Sequence, residues 1–411
     1  MNLGLSLFLG VVMRLQQRWF YLGIFWLMNF CLGSYYAWGA YASFLTAHYA
    51  DFGTANVSAS SLTYIFSTAT TLCPITMIWA GYMTDRLGPR MVLFLGGALE
   101  ALGYFLMSMS TNAETLFWGF GVALGIGSGC CVISTTATAV KLFPERRGFA
   151  GGSVTAFYGM GSICVPILTS WLGNTIGIEA TLQLYAAICL AVIWGGIVFV
   201  KVGPTNTKKS VMAKGDLNWR LMLKTHRFWV MFTTFVMGSI AAQMMFSQTV
   251  SIAQNQINLS VSVAVLSISV LAFANTFARF TAGAISDAIG RVNTIIVALT
   301  CSALGLLCLT LAGHGDQYLF FAGLAGIGLC YGSCVGVFPG FTTEQFGVTN
   351  ASLNYGIMTL AFAVAGIVGP NIIQWVVTDG NYDTGYFFAI GFSVIGIVTA
   401  YACRTFDLKR R

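Results

Sequence analysis

Charged residues are scarce in this chain. Asp, Glu, Lys and Arg make up only 8% of its 411 residues, whereas 57% are hydrophobic and the mean hydropathy is +0.78. Soluble proteins are roughly 25% charged, so a soluble globular fold is excluded and a polytopic protein of the lipid bilayer is indicated. The net charge of +7 does not indicate a nucleic-acid partner, because the basic residues lie beside apolar segments, where they set membrane topology.

Patterns of catalytic residues are also lacking. The three histidines, His48, His226 and His314, lie far apart in or beside loops and have no metal-ligand spacing. No glycine-rich phosphate-binding loop follows a strand and opens a helix, which argues against an ATP-driven pump. The sequence therefore predicts a protein that is not an enzyme and uses no cofactor.

The eleven cysteines all lie in apolar stretches. They are expected to be small packing residues rather than disulfides or metal ligands. Cys330 and Cys334 are four residues apart on a predicted helix, but no histidine or acidic residue accompanies them. No metal site is therefore predicted.

Long apolar segments are abundant. A membrane-spanning helix needs about 20 mostly apolar residues, and about twelve such segments occur. The predicted fold is an all-α membrane protein with twelve transmembrane helices in two six-helix halves. We place the spans at 19–42, 59–83, 90–109, 115–141, 149–172, 179–200, 228–252, 259–284, 292–312, 317–339, 350–375 and 384–403.

The joins between these spans alternate in charge. Nineteen of the 20 Lys and Arg residues fall in one set of joins, and the other set carries Asp and Glu but no Lys or Arg. Basic loops face the cytoplasm, which predicts cytoplasmic termini and an integral protein of the plasma (inner) membrane. The predicted domains are a first half at 1–200, a cytoplasmic linker at 201–227, a second half at 228–403 and a cytoplasmic tail at 404–411.

The first half begins with an N-terminal segment, residues 1–18, that is not counted as a span. Its first dozen residues are apolar and uncharged. They are expected to lie at the membrane interface or to precede the true start, because Met13 followed by Arg14 is a more natural beginning.

One loop motif occurs in each half. One copy, residues 81–90, joins the second and third spans, and the other, residues 283–291, joins the eighth and ninth. Asp85 and Asp287 occupy the same place in the two copies, 202 residues apart. Many secondary transporters use internal repeats to form a midplane site between two rocking halves. The charged residues of both loops are predicted to gate the cytoplasmic side, with plain solvated turns as the alternative: Asp85, Arg86, Arg90, Asp287 and Arg291.

Arg279 is the twentieth basic residue and the exception. It lies in the run Leu259 to Ala284, which has no other charge. Burying a guanidinium at membrane depth costs at least ~2.5–3.5 kcal/mol, and its planar fork suits a carboxylate. We predict that Arg279 binds an anionic substrate; the alternatives are snorkelling toward the basic loops and pairing with Glu100. Its helix face forms a small, partly polar stripe: Ala272, Asn275, Thr276, Arg279, Ala282 and Gly283.

Glu100 is the other ionisable residue deep in a span. Glycines, including Gly96 and Gly103, share its helix face, which predicts close packing against a neighbouring helix. Burial favours the neutral form of a carboxyl group. A hydrogen-bonded neutral acid between helices is the favoured interpretation, and a proton site for symport is the alternative.

The doubled loop motif is accompanied by shorter motifs along nearly the whole chain. These are Arg18-Trp-Phe-Tyr-Leu, Phe143-Pro-Glu-Arg-Arg-Gly148, Phe228-Trp-Val, Phe338-Pro and Asn354-Tyr-Gly. Together with Arg279, placed twelve residues before Arg291, they resemble the major facilitator superfamily. Within it, the resemblance is to oxalate/formate antiporters and monocarboxylate transporters.

The resemblance implies a role for Arg279. In the oxalate exchangers, an arginine on the eighth span and a lysine on the eleventh hold a doubly charged substrate. Arg279 matches the arginine, but Phe362 stands where the lysine would fall. One cation balances one carboxylate, so lactate, pyruvate or formate is expected rather than oxalate. The resemblance also implies an aromatic lining for the cavity: Tyr35, Tyr36, Trp38, Tyr158 and Tyr331.

The expected function is alternating-access transport of a small monocarboxylate, with proton symport as the expected coupling. An oxalate/formate-type anion exchanger is the main alternative. A non-transporting membrane sensor is a third alternative, disfavoured because the central linker has only about 27 residues.

Overall fold

The computed structural model describes the backbone of residues 2–51, 59–200, 202, 215–376 and 382–407. Within these ranges all regular secondary structure is helical. A 3-10 turn, Gly33–Ala37, follows the first helix, and a π-helical segment, Phe117–Leu124, joins α5 to α6. The helices are α1 Asn2–Leu32, α2 Trp38–Asp51, α3 Ala59–Leu87, α4 Pro89–Ser108, α5 Ala113–Leu116, α6 Gly125–Leu142, α7 Arg147–Ile176, α8 Ile178–Phe199, α9 Trp219–Leu223, α10 His226–Asn255, α11 Val261–Ile289, α12 Arg291–Leu311, α13 Gln317–Phe346, α14 Ala351–Met358, α15 Leu360–Val376 and α16 Asp383–Asp407.

The predicted spans correspond to these helices. In the described part of the chain, 11 helical stretches are long and apolar enough to cross a membrane. The predicted first span, 19–42, corresponds to the end of α1, the 3-10 turn and the start of α2. This first span and the 11 helical stretches together make twelve. The prediction of an all-α fold with twelve spans in two halves is confirmed.

Two predicted spans are less regular than hydropathy indicates. The span predicted at 115–141 contains the π-helical segment, and the span predicted at 350–375 is interrupted at Thr359, between α14 and α15. Both stretches remain apolar through the irregularity, so composition alone does not reveal it. The predicted N-terminal segment is helical from Asn2 and continues into the first span. Linker residues 201 and 203–214 and tail residues 408–411 lie outside the described residues.

The two copies of the loop motif have the same turn geometry. Gly88 ends the first loop with φ 86°, and Gly290 ends the second with φ 92°. This left-handed region is open to glycine and costly for residues with a Cβ atom. Each glycine follows the motif aspartate by three residues, so the sequence repeat is also a structural repeat.

Close packing fixes α11 against α13. Glycine recurs at every fourth residue of α13 over residues 328–340. A Cβ atom at Gly332 would collide with the backbone carbonyl of Asn275, and one at Gly336 with that of Arg279. Small residues allow helix backbones to approach where lipid provides no hydrophobic driving force. The middle of α11 is therefore held tightly by its neighbour.

The two halves meet at one end of the molecule. This basic end carries the two loop motifs, and the opposite, acidic end carries Glu114 and Asp316. At the basic end, α3 packs against α14 and α7 packs against α11. Toward the acidic end, α3 instead exposes the polar side chains of Ser67, Thr70 and Thr71. The structure is thus closed at the basic end and open toward the acidic end.

Candidate functional site

Arg279 lies in the middle of α11, ten residues or about 15 Å before the helix ends at Ile289. The residue is only 5% exposed. Its Nε donates a hydrogen bond of 3.1 Å to Oδ1 of Asn275, one turn nearer the acidic end. Because the side chain bends away from the basic end, its direction is opposite to the one that snorkelling toward the basic loops requires.

The guanidinium of Arg279 also contacts the other half of the protein. Its Nη1 donates a hydrogen bond of 3.1 Å to the backbone carbonyl of Thr155 in α7. No carboxylate among the described residues, Glu100 included, forms an ion pair with it. A guanidinium has five N–H donors, so Arg279 keeps donors that no described residue accepts.

Glycines from both halves enclose the backbone at Arg279. A Cβ atom at Gly152 of α7 or at Gly336 of α13 would collide with its carbonyl oxygen. The opposite face of α11 carries three exposed aromatic side chains, Phe273, Phe277 and Phe280. The Arg279 face is therefore turned to protein, and the phenylalanine face is suited to lipid.

Several tyrosines lie in the neighbourhood of the guanidinium. Tyr36, Tyr331 and Tyr355 lie within electrostatic reach of Arg279. Tyr36, in the 3-10 turn, is 46% exposed and packs edge-to-face against Tyr158 of α7, with ring centroids 5.6 Å apart. Tyrosine combines an apolar ring with a polar tip. Both halves thus contribute aromatic walls with hydroxyl groups to this region.

Phe362 stands beside these tyrosines. Its ring lies edge-to-face against Tyr331 with centroids 5.9 Å apart, and against Phe235 at 4.6 Å. The position where the family resemblance places a lysine therefore holds an apolar ring at the edge of the tyrosine cluster.

Tyr35 and Trp38 have a different environment. Both rings pack on Phe120, in the interior of the first half, at 5.3 Å and 4.2 Å respectively. Tyr35 also contacts Tyr36 at 5.6 Å. The structure thus places Tyr35 behind the tyrosine cluster and Trp38 within helix packing, and their role as substrate contacts stays a prediction.

Asp287 joins the two halves at the basic end. Its carboxylate accepts hydrogen bonds from the backbone N–H groups of Gly148, at 3.0 Å, and Phe149, at 2.8 Å, at the start of α7. Arg291 forms ion pairs with Asp287 and with Glu344 of α13, both at 2.6 Å. A helix N-terminus has unsatisfied N–H groups and a positive dipole end, so it stabilises a carboxylate.

Asp85 makes the equivalent connection. It accepts hydrogen bonds from the N–H groups of Ser352, at 3.3 Å, and Leu353, at 3.0 Å, at the start of α14. Lys141 of α6 pairs with it at 2.6 Å and also donates to Oγ of Ser352 at 2.9 Å. Both motif aspartates therefore bind the second and third residues of a helix in the opposite half.

The flanking arginines of the first loop make other contacts. Arg86 lies over the ring of Tyr82, 4.4 Å from its centroid, and Nε of Arg90 donates to the carbonyl of Ile197 at 3.2 Å. The cation paired with Asp85 is Lys141. That Arg86 and Arg90 contribute to gating stays a prediction.

A family comparison agrees with this architecture. The family model described as Major Facilitator Superfamily matches residues 25–370 and 252–409. The chain belongs to this superfamily. It is 29% identical over 402 residues to the oxalate:formate antiporter of Oxalobacter formigenes, covering 96% of this chain and 93% of that protein. It is 28% identical over 355 residues to the uncharacterized MFS-type transporter YhjX of Escherichia coli (strain K12), covering 86% of each.

Two solved transporter structures share the fold. The E. coli fucose:proton symporter superposes with a TM-score of 0.69 at 16% identity, covering 93% of this chain and 99% of that one. A bacterial homologue of the iron transporter ferroportin, in an outward-facing state, superposes with a TM-score of 0.72 at 12% identity, covering 94% and 99%. At these identities the likeness shows the fold alone.

Glu100 is the other ionisable residue that the sequence places deep in a span. It is buried in α4, where its side chain packs against Gly127 of α6. Its Oε1 has no hydrogen-bond partner among the described residues. The glycine-lined packing agrees with the sequence-based expectation, but the expected hydrogen bond at this oxygen is missing.

Several contacts were not predicted from the sequence. Thr155 acts through its backbone carbonyl, which has no side-chain signature. Lys141 is one of the nineteen basic residues of the joins, and the sequence does not indicate its partner. Tyr355 lies in the Asn354-Tyr-Gly motif, but no sequence pattern marks it or Glu344 as a contact residue. For the contact of Asp85 with α14, the predicted start of a span at residue 350 is a usable signal, since helix N-termini attract carboxylates.

Proposed function

We propose that this member of the major facilitator superfamily is a secondary active transporter of a small monocarboxylate such as lactate, pyruvate or formate. The observation that carries the proposal is the guanidinium of Arg279. It is buried at the junction of the two halves, oriented by two neutral acceptors, and has no carboxylate partner among the described residues. Intramembrane ionisable residues are functional by default, and an anionic substrate supplies the missing countercharge.

The balance of charge supports a monocarboxylate. Between Arg227 and Arg291, Arg279 is the sole Lys or Arg in the sequence. Between Arg291 and Arg404 the sequence has no Lys or Arg. Phe362 stands at the position where the family resemblance expects the second cation for a dicarboxylate. A singly charged acid therefore leaves the site neutral, and the hydroxyls of Tyr36, Tyr158 and Tyr331 can donate hydrogen bonds to its oxygen atoms.

Transport follows by alternating access. The two aspartate-capped contacts, Asp85 with α14 and Asp287 with α7, hold the halves together at the basic end. The charge asymmetry of the loops supports a cytoplasmic orientation for this end, with both termini on the same side of the plasma (inner) membrane. Release of the substrate inward then requires both contacts to open while the acidic end closes.

Proton symport is the proposed coupling, because it makes uptake of a monovalent anion electroneutral. Glu100 is the candidate proton site, supported by its burial and its unpartnered Oε1. Anion exchange is the second candidate, favoured by the 29% identity to an oxalate:formate antiporter over 96% of the chain.

Uptake by the purified protein in proteoliposomes tests these proposals. We expect accumulation of labelled lactate or formate, with unlabelled monocarboxylates competing better than oxalate. Stronger competition by oxalate would replace the monocarboxylate proposal with the exchanger. Accumulation that an uncoupler leaves unchanged would contradict proton symport, and any specific uptake would contradict a non-transporting sensor.

A further inference from the structure

Tyr355 is a buried tyrosine that the proposed function does not yet use. It lies on α14, three residues beyond Ser352, and is only 3% exposed. Its hydroxyl makes no hydrogen bond with any described residue. The hydroxyl of Tyr35 also has no partner and is completely enclosed by protein, whereas the hydroxyl oxygen of Tyr355 is not completely enclosed. The Tyr355 oxygen therefore borders unfilled space while lacking a protein partner.

Tyr355 stands seven residues, about two helical turns, before Phe362 in the same span, and the ring of Phe362 contacts Tyr331 of the tyrosine cluster. The Tyr355 hydroxyl is within electrostatic reach of Arg279, and it also interacts with Tyr331. The backbone supports this placement, because the span is interrupted at Thr359, directly after the short helix that carries Tyr355. Interrupted transmembrane helices commonly form substrate sites in secondary transporters.

Tyr355 and Tyr36 differ in where they approach Arg279. Tyr36 is 46% exposed and faces the opening, whereas Tyr355 is buried near the basic end. An anion held by Arg279 would therefore meet one hydroxyl on its open side and another on its closed side. A carboxylate has about four lone-pair sites, so two arginine hydrogen bonds leave acceptors free for both.

We propose that Tyr355 is a specificity-determining residue whose hydroxyl donates a hydrogen bond to the carboxylate held by Arg279, from the side nearest the basic end. The inference rests on the proposed function and deepens it. The bound carboxylate satisfies a buried hydroxyl that would otherwise remain unpaired, a situation that proteins generally avoid. Neutral ligands of similar size lack this charge-assisted hydrogen bond and should bind poorly.

The Tyr355→Phe variant removes one oxygen atom and keeps the ring. We expect the Kd for formate and for lactate, measured by calorimetry on the purified protein, to rise about tenfold or more, because hydrogen bonds to charged groups contribute more than neutral ones. Tyr386→Phe is the matched control. Tyr386 is equally buried, but its hydroxyl donates to Gln256 at 2.7 Å, away from Arg279, so the Kd should be unchanged.

The outcomes separate the two proposals. If the wild-type protein binds neither acid, the proposed function fails and the role of Tyr355 fails with it. If the wild type binds them and Tyr355→Phe binds equally well, only the role of Tyr355 is overturned. The unfolding temperature shows whether Tyr355→Phe is still folded. If it is not, two other variants are compared: Tyr355→Trp keeps an aromatic ring with a donor, and Tyr355→Leu has neither. The inference then stands only if Tyr355→Trp binds formate and lactate more tightly than Tyr355→Leu does.

Discussion

Arg279 in the second half donates a hydrogen bond to the backbone carbonyl of Thr155 in the first half, at 3.1 Å. The group proposed to bind substrate is therefore attached to both halves when the basic end is closed. If the halves separate at that end, this hydrogen bond must break. An anion bound to the remaining donors of Arg279 can offset the loss, which connects substrate binding to the conformational change.

Arg279→Lys tests the requirement for the guanidinium fork. The ammonium keeps the charge but cannot make two parallel hydrogen bonds to a carboxylate. We expect uptake to fall about tenfold or more, since each hydrogen bond to a charged group contributes roughly 1.5–3 kcal/mol. The control is Arg220→Lys, because Arg220 is exposed and lies over the ring of Trp219, and no role in binding or gating is assigned to it. If Arg279→Lys transports at the wild-type rate and substrate still raises its unfolding temperature, Arg279 does not bind the substrate.

The sequence was sufficient to predict the spans, the repeat and the position of Arg279 inside a span, because hydropathy and charge reflect the free-energy cost of placing a residue in lipid. It was insufficient for partners that depend on how the halves dock. The carbonyl of Thr155 has no sequence signature, and Lys141 meets Asp85 across 56 residues of chain. The glycines at every fourth position of α13 could have predicted its close approach to α11, since that spacing places them on one helix face.

Gly152→Ala tests the contact between the halves. The new Cβ atom would collide with the carbonyl of Arg279 across the interface, which destabilises the state closed at the basic end. We expect a shift toward the opposite state, seen as a shorter distance between probes placed at Glu114 and Tyr318 on the acidic end. Overpacking typically costs about 1–3 kcal/mol, enough to change the populations at least several-fold.

Gly336→Ala is the matched variant for that test. It meets the same carbonyl from within the second half, so it should lower the unfolding temperature without shifting the probe distance. Gly391→Ala, which meets no atom within 4 Å, should change neither. Equal shifts in Gly152→Ala and Gly336→Ala would show that the collision does not report on opening of the interface.

Asp85→Asn tests the contact at the start of α14. The amide cannot balance Lys141, whose side chain is only 8% exposed, and it binds the helix N-terminus more weakly. We expect the acidic ends to approach each other, measured with the same probes, and transport to fall. Arg86→Gln and Arg90→Gln should have smaller effects because both arginines are exposed and unpaired with Asp85. A larger effect of either arginine variant would return the gating role to the flanking residues of the motif.

Glu100→Gln distinguishes a proton site from helix packing. Glutamine has nearly the same shape as a neutral glutamic acid but cannot exchange a proton. If Glu100 carries the coupled proton, accumulation driven by a pH gradient should be lost, whereas exchange of internal for external substrate continues. The exposed residue Glu114 provides the control variant, Glu114→Gln. Unchanged gradient-driven accumulation in Glu100→Gln would leave Glu100 with a packing role between α4 and α6.

Phe362→Lys tests the hypothesis that a single cation in the site selects a monocarboxylate over a dicarboxylate. Phe362 lies 5.9 Å from Tyr331 by ring centroids, so a lysine there would place a second cation beside the tyrosine cluster. We expect oxalate to become a better competitor of uptake by about tenfold or more, which is roughly 1.4 kcal/mol, and lactate to bind more weakly because one carboxylate cannot balance two charges. Phe362→Leu is the control for loss of the aromatic ring. If both variants are folded and oxalate competes equally in each, the charge at this position does not select the substrate, and the argument for a monocarboxylate from Phe362 fails.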